Sequence, residues 1–270
     1  MDCSFDNKKI VAVITGATEG IGRQLVYSLS KIAGNNSIIY VVGRDVHKLQ
    51  ELRNSINNEN KNIQCICWCV DFEKDDDDEV YEKLSISFEN NIKNKDTQRI
   101  GIFHIGGSVG DIKNKAQDII SRKSWDTHLK VNLTSMILLN NNLLKSVTKL
   151  NMENMTTIVS ITSLLAIKPF KCFAQYSVGH AAREAFFRSL AIEMPELRIL
   201  SYSPGPVKTR LRDYINKNAY DEDIRNAFSH DDNHKSGGRV VSTEETIGKL
   251  LEYLGKNKFV SGSRVDIFDI

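Results

Sequence analysis

Ile10-Val11-Ala12-Val13-Ile14-Thr15-Gly16-Ala17-Thr18-Glu19-Gly20-Ile21-Gly22 is the stretch that decides the fold. Its first six residues are a β-branched apolar run that reads as a buried strand, and the run ends at a glycine. Beyond it, Ile21, Leu25, Leu29 and Ile32 repeat at spacings of three and four, which predicts a helix to Ala33. Glycines between a strand and a helix permit a tight turn and close backbone approach. The free N–H groups at the helix start attract a pyrophosphate. A glycine-rich turn alone says little; as the first βα turn of a longer alternating series it points to a dinucleotide.

That series continues along the chain. Strand-like runs at Ser37 to Val42, Ile63 to Val70, Ile100 to Ile105, Thr157 to Ile161, Arg198 to Ser203 and Arg264 to Phe268 follow the first one. Helical patterns lie between them, at Val46 to Ile56, Val80 to Phe88, Trp125 to about Leu150, Tyr176 to Glu193 and Glu244 to Leu254. Strands separated by helices imply a parallel sheet with right-handed crossovers. The expected class is therefore α/β, a Rossmann-type doubly wound parallel sheet of about seven strands with helices on both faces. Neither a composition shift nor a repeat divides the 270 residues, so 1–270 reads as one domain. The polar, charge-rich stretch at about 207–240 reads as a loop over the site, and the Asn-rich stretches Asn54 to Asn62 and Asn90 to Asp96 as surface loops.

Composition narrows the partners. Lys plus Arg number 36 against 34 Asp plus Glu, a formal charge of +2, which gives no electrostatic reason to expect nucleic acid or an anionic membrane. No stretch approaches the about 20 apolar residues of a bilayer span, and the first nine residues lack the apolar core of a signal peptide. A soluble intracellular protein is expected. Five cysteines without an export signal argue against a disulfide framework. Cys65-Ile66-Cys67-Trp68-Cys69 suggests a metal motif, but alternate strand residues sit nearly 7 Å apart, too far for thiolates to share one zinc. This run reads instead as a strand buried on both faces. Asp75 to Asp78 sit where a helix starts and favour its positive end, without the ligand spacing of a calcium loop. No metal site is expected.

The second strand ends in Gly43-Arg44-Asp45. A carboxylate there accepts the ribose 2′-OH of NAD, whereas a cation suits the 2′-phosphate of NADP. Arg44 therefore favours NADP, and Asp45 reads chiefly as the N-cap of the next helix. Asp71, closing the third strand, is placed to accept from an adenine amino group. Ser163 follows the fifth strand, Tyr176 opens the next helix, and His180 lies four residues on, on the same face. Asn132 stands inside a helix, an unfavourable place for asparagine unless its side chain has a task. All four lie toward the carboxyl ends of the strands, where ligands bind in such sheets.

Through Thr-Gly-x-x-x-Gly-Ile-Gly at Thr15 to Gly22, with Asn132, Ser163 and Tyr176, the chain resembles the short-chain dehydrogenase/reductase superfamily over nearly its full length. Within it the chain is most similar to the sepiapterin reductase family, by Asn132 to Met136, Leu164 to Lys171, Ser203 to Pro206 and Ser261 to Asp269. The resemblance implies that Gly16, Ala17, Thr18, Glu19, Gly20, Ile21, Gly22, Arg44, Asp45, Asp71, Phe72 and His180 hold NADPH. It implies further that Val207, Lys208, Thr209, Arg210, Leu211 and Arg212 cover the nicotinamide end. Tyr176 would be the acid that protonates a carbonyl oxygen, Ser163 would polarise that oxygen, and Asn132 would complete the catalytic set. Asp266 would anchor a pterin by accepting two parallel N–H bonds, and Leu164 and Gly205 would line the pocket. The implied reaction is reduction of the side-chain ketones of sepiapterin or a 6-pyruvoyl-tetrahydropterin in tetrahydrobiopterin synthesis, by a cytoplasmic homodimer.

Three departures from the family pattern stand out. Tyr-x-x-x-Lys is Tyr176-Ser177-Val178-Gly179-His180 here, so His180 is expected to keep the structural half of the lysine's role and leave Tyr176 less acidified. Asn-Asn-Ala-Gly is His104-Ile105-Gly106-Gly107, which removes asparagine bonds at the sheet centre. Glu19 stands where NADP users often place a cation, leaving Arg44 alone for the 2′-phosphate. A reductase of other carbonyls, or a dinucleotide-binding protein with weakened catalysis, are the alternatives these departures keep open.

Overall fold

Seven strands among the described residues pair in parallel throughout: β1 (Ile10–Thr15), β2 (Ser37–Gly43), β3 (Ile63–Cys69), β4 (Arg99–His104), β5 (Thr156–Ile161), β6 (Arg198–Ser203) and β7 (Ser263–Asp266). Their order is β3-β2-β1-β4-β5-β6-β7. The computed structural model describes residues 3–74, 78–93, 96–229 and 239–270. The helices are α1 (Gly20–Ile32), α2 (Val46–Glu59), α3 (Glu79–Ile92), α4 (Arg122–Leu129), α5 (Ser135–Lys149), α6 (Ala174–Glu193), α7 (Arg210–Asn218), α8 (Glu222–Ala227) and α9 (Thr243–Lys256).

Apolar side chains of α1, α2 and α9 fill one face of the sheet, and those of α3, α5 and α6 the other. Every residue of β1 is buried, as a central strand covered on both faces requires. Each fully buried Leu, Ile or Phe in these layers contributes about 1.5–3 kcal/mol. The chain reverses its direction of growth across the sheet between β1 and β4, which opens a crevice at the carboxyl ends of those strands. Among the described residues no helix is long and apolar enough to cross a membrane, and no cluster of His, Cys, Asp or Glu could hold a metal ion.

Four features depart from the sequence reading. β3 is an edge strand, with Gln64 and Cys69 exposed, so it is not buried on both faces. Its apolar run marks partial cover by α2, and the Cys67 thiol donates to the Leu49 carbonyl at 3.2 Å. Burial pushes the Cys65 thiol up to about 12 and raises Cys67 as well, away from the thiolate form that metals bind. The expected loop at 207–240 contains α7 and α8, and Ile215 of α7, Ala219 just after it and Ile224 of α8 pack on Val109, Ile112 and Phe173. So few apolar residues in a charged stretch hid that helical spacing. Residues 230–238 lie outside the described residues, as do Asp75, Asp76 and Asp77; Asp78 sits at the start of α3 without a capping bond from its side chain.

The Asn-rich stretch Asn54 to Asn62 is largely helical, since α2 runs to Glu59, and Asn90 to Ile92 form the last turn of α3. Finally, the long helix predicted from Trp125 starts at Arg122 and is interrupted by one π-helical turn, Lys130–Thr134. Asn132 lies inside that turn. Its amide donates to the His128 carbonyl at 2.9 Å, the local competition by which asparagine loosens a helix.

Candidate active site

The turn from β1 to α1 is built by close approach. Gly16 has φ +65°, and a Cβ there would lie 2.8 Å from the Gly106 backbone. At Gly22 a Cβ would lie 2.2 Å from the Gly16 carbonyl oxygen. No side chain fits at either place, so backbone N–H groups border the crevice. Ala17 is buried and donates its N–H to the Val42 carbonyl, while Thr18 lies against Gly43, joining the turn to the end of β2. Gly20 and Ile21 open α1, and Thr209 touches Gly20 from the covering segment.

Glu19 is not a lone misplaced carboxylate. Its Oε1 pairs with Lys48 on α2 and, at 2.7 Å, with Arg210 on α7. Lys48, paired to Glu19 and to Asp45, is thus a second cation near the phosphate turn that the sequence reading missed, while Arg44 stands exposed before the start of α2. Asp45 caps α2, accepting from His47 and Lys48 N–H at 3.1 Å. Asp71 follows β3 and accepts from Glu73 N–H, and Phe72 stacks on Tyr81 beside it. A cleft of about 340 Å³ runs between Glu19, Gly20 and Arg23 on one side and Lys208, Thr209 and Arg210 on the other. The cradle and its flanking cations fit a dinucleotide phosphate.

The covering segment divides. Val207 pairs with Val241, and Lys208, Thr209 and Arg210 line the cleft. Leu211 is exposed. Arg212 turns away from the cleft, donating to the Ala227 and Ser229 carbonyls and lying over the Phe228 ring, so it fastens the cover rather than facing a ligand.

Ser163 follows β5 as the cap of a short 3-10 turn, Leu164–Ala166, with its Oγ accepting from Leu165 N–H at 3.2 Å. That leaves the Ser163 O–H to donate. Tyr176 and His180 share one face of α6 with ring centroids 4.3 Å apart. Asn132 Oδ1 accepts from Ser108 N–H at 2.8 Å and so holds the segment that follows β4. That segment is better tied than its missing asparagines suggest. Thr15 Oγ1 accepts from Ile105 and Gly106 N–H, and His104 bonds Asn140 at 3.1 Å. Arg183, absent from the sequence reading, donates to the His104 and Gly106 carbonyls at 2.9 and 3.2 Å.

Burial pushes the Tyr176 phenol up to about 12, opposed by the charge of Arg183. Burial pushes His180 down to about 3, helped by Arg183 and His128, and pushes His104 down to about 3, helped by Arg183. His128 is also lowered by burial. All three imidazoles are therefore neutral near pH 7. Unfolded histidines titrate near about 6.5, so on acidification the unfolded chain binds protons first. Stability is complete above that value and is lost as the pH falls from about 6.5 toward about 3. In this window His104 and His180 each remove about 1 kcal/mol per pH unit. The urea midpoint is expected to fall steadily between about pH 7 and about pH 5, and less steeply in His104→Asn; equal slopes would exclude His104 from the acid-sensitive set.

On the remaining side, β5, β6 and β7 end next to one another, with Ile161 paired to Tyr202 and Ser203 to Asp266. Ser163 and Asp266 therefore flank the end of β6. Asp266 Oδ2 accepts from Ser203 Oγ at 2.6 Å and Oδ1 from Phe268 N–H at 3.2 Å, which fixes the carboxylate in place. Gly205 lies against Ile267 and Phe268, and Leu164 is exposed, as are Ile167 and Phe170.

Comparisons with known proteins agree with this geometry. A family model described as short chain dehydrogenase matches residues 10–219. Sepiapterin reductase of Rattus norvegicus is 28% identical over 96% of this chain and 97% of its own length. That of Xenopus laevis is 26% identical over 96% of both. Among solved structures, the KRED1-Pglu enzyme superposes with a TM-score of 0.75 at 22% identity, covering 94% of this chain and 99% of that one. A short chain dehydrogenase of Shigella flexneri 2a str. 301 complexed with NADP gives 0.76 at 20% identity, covering 98% and 99%.

Proposed function

The chain belongs to the short-chain dehydrogenase family, and from that membership we propose that it is an NADPH-dependent reductase of the side-chain ketones of a pterin, sepiapterin or a 6-pyruvoyl-tetrahydropterin, in tetrahydrobiopterin synthesis. The observation that carries the pterin assignment is Asp266, a carboxylate held by Ser203 and Phe268 at the carboxyl end of β7, beside the strand end that presents Ser163. Similarity to sepiapterin reductases along almost the whole chain supports the same choice.

In this reading the dinucleotide, when bound, supplies the hydride. Gly16 to Gly22 take its pyrophosphate through backbone N–H groups, and Arg44 with Lys48 meets a 2′-phosphate, which suits NADP. Asp71 accepts at the adenine edge, Phe72 flanks it, and His180 donates to a ribose hydroxyl. Lys208, Thr209 and Arg210 close over the cleft and exclude water. Ser163 donates its O–H to the carbonyl oxygen, and Tyr176, fully protonated at neutral pH, delivers the proton to that oxygen. Asn132 holds the β4 segment that borders the site. Asp266 accepts from the planar N–H edge of the pterin, with Leu164 and Gly205 on either side. The working form in this reading is a cytoplasmic homodimer packed through α5 and α6; the exposure of Ile192 on α6 supports a covered face there.

The test is NADPH oxidation with sepiapterin, run beside NADH and a small α-diketone. Asp266→Asn keeps an acceptor for Phe268 N–H but removes the charge. Charge-assisted hydrogen bonds contribute about 1.5–3 kcal/mol, so KM for sepiapterin is expected to rise about ten- to a hundredfold while turnover of the diketone is unchanged. Unaltered sepiapterin kinetics in the variant would remove the pterin assignment and leave a reductase of other carbonyls.

A further inference from the structure

Arg183 lies on the α6 face that carries Tyr176 and His180, at successive spacings of four and three, and only 1% of its surface is exposed. Helical side chains lean toward the helix N-terminus, so its guanidinium is carried back toward Tyr176. It grips the two carbonyls that follow β4, His104 at 2.9 Å and Gly106 at 3.2 Å. Its second terminal nitrogen flanks Gly107 opposite the Asn132 Oδ1. Gly106 in turn packs on Gly16 of the phosphate turn. Arg183 and Asn132 thus clamp one short segment from two helices, directly behind the crevice.

No carboxylate pairs with Arg183 among the described residues, and its Nε has no partner there. A buried cation without a counter-charge is costly, and a side chain kept only for packing would not need it. Among the described residues, the titratable groups that feel the charge of Arg183 carry no charge near neutral pH. His180 on α6, His128 on α4 and His104 on β4 are held neutral by burial, and Tyr176 packs against the apolar cluster that holds Cys172 and, from the cover, Tyr220.

We propose that Arg183 is the positioning residue of this active site: its fixed charge is the counter-charge for the tyrosinate that Tyr176 becomes on giving up its proton, and its fork holds the β4 segment in place. It takes over the electrostatic task that His180, as a neutral ring, leaves undone. Arg183 itself stays protonated near neutral pH, its guanidinium lowered by burial to about 10. The proposal rests on the reading of Tyr176 as the proton donor, made above.

The experiment compares wild type, Arg183→Lys, Arg183→Gln and the double variant Arg183→Gln/His180→Lys. The pH profiles are compared below about pH 10, where Arg183 keeps its charge. Acetoin oxidation with NADP+, together with 2,3-butanedione and sepiapterin reduction, gives the pH profiles. In Arg183→Gln, the rising limb of oxidation is expected to move to higher pH by about one unit, a tenfold change, with kcat for reduction down about tenfold. Arg183→Lys retains most of the profile, and lysine at 180 in the Arg183→Gln background restores it. Thermal melts and NADPH Kd separate this from loss of the clamp, which lowers Tm without moving the limb. An Arg183→Gln protein that folds, with the limb unmoved, or a double variant that restores nothing, overturns the proposal. A wild type that turns over neither substrate pair overturns the reductase reading and with it the role given to Arg183, whereas an active enzyme with an unmoved limb overturns only the latter.

Discussion

Tyr176→Phe is expected to lower kcat for ketone reduction by roughly 10²- to 10⁴-fold, the range over which a positioned general acid acts, while NADPH Kd and Tm change little. The ring contacts of Tyr176, with Phe173 at 6.1 Å and His180 at 4.3 Å between centroids, survive the loss of the hydroxyl, so packing is retained. What disappears is the proton. With its phenol pushed up to about 12, Tyr176 is fully protonated at neutral pH and suited to donate rather than accept. Reduction is therefore expected to be fast at neutral pH, and the reverse oxidation to accelerate only toward high pH. Steady-state rates of NADPH oxidation with fluorescence titration of NADPH provide the measurement. A variant with wild-type kcat would place the proton donor elsewhere, with ordered water the first candidate.

The second large effect is at the phosphate turn. Gly22→Ala introduces a methyl group 2.2 Å from the Gly16 carbonyl oxygen, and Gly16 is packed so closely on the Gly106 backbone that a Cβ there would stand only 2.8 Å from it. The turn must open, carrying its N–H groups away from the pyrophosphate position. NADPH affinity is expected to fall at least about a hundredfold, equivalent to about 2.7 kcal/mol or more, with a lowered Tm. Gly248→Ala is the control. It lies in α9 with nothing within 4 Å of the added methyl group, and a helix-interior Gly→Ala change is stabilising by roughly 0.5–1 kcal/mol. If Gly22→Ala binds NADPH as tightly as the control, the turn is not the cradle.

The sequence by itself determined the architecture and the order of the site segments, because periodicity is a local property. Strands of β-branched residues, helices repeating at three and four, and glycines at a fixed place in the first turn follow from backbone sterics and need no knowledge of neighbours. The places of Ser163, Tyr176, His180, Asn132 and Asp266 in the fold were legible, since each sits at or near a strand end or on a helix face that the pattern located. The extra turns of α7 and α8 were not, because Ile215, Ala219 and Ile224 become an apolar face only when Phe173 and Ile112 are brought opposite them.

Tertiary structure alone decided the electrostatics. Glu19 reads in isolation as a misplaced carboxylate, yet folding sets it between Lys48, 29 residues away, and Arg210, 191 residues away. Arg183 reads as an ordinary helix arginine until β4, 79 residues earlier, is laid behind it and buries it against two carbonyls. Burial and long-range pairing set charge states, and neither quantity exists until distant segments meet. The chain's near-neutral total of +2 therefore says nothing of the isolated cation folded into its centre.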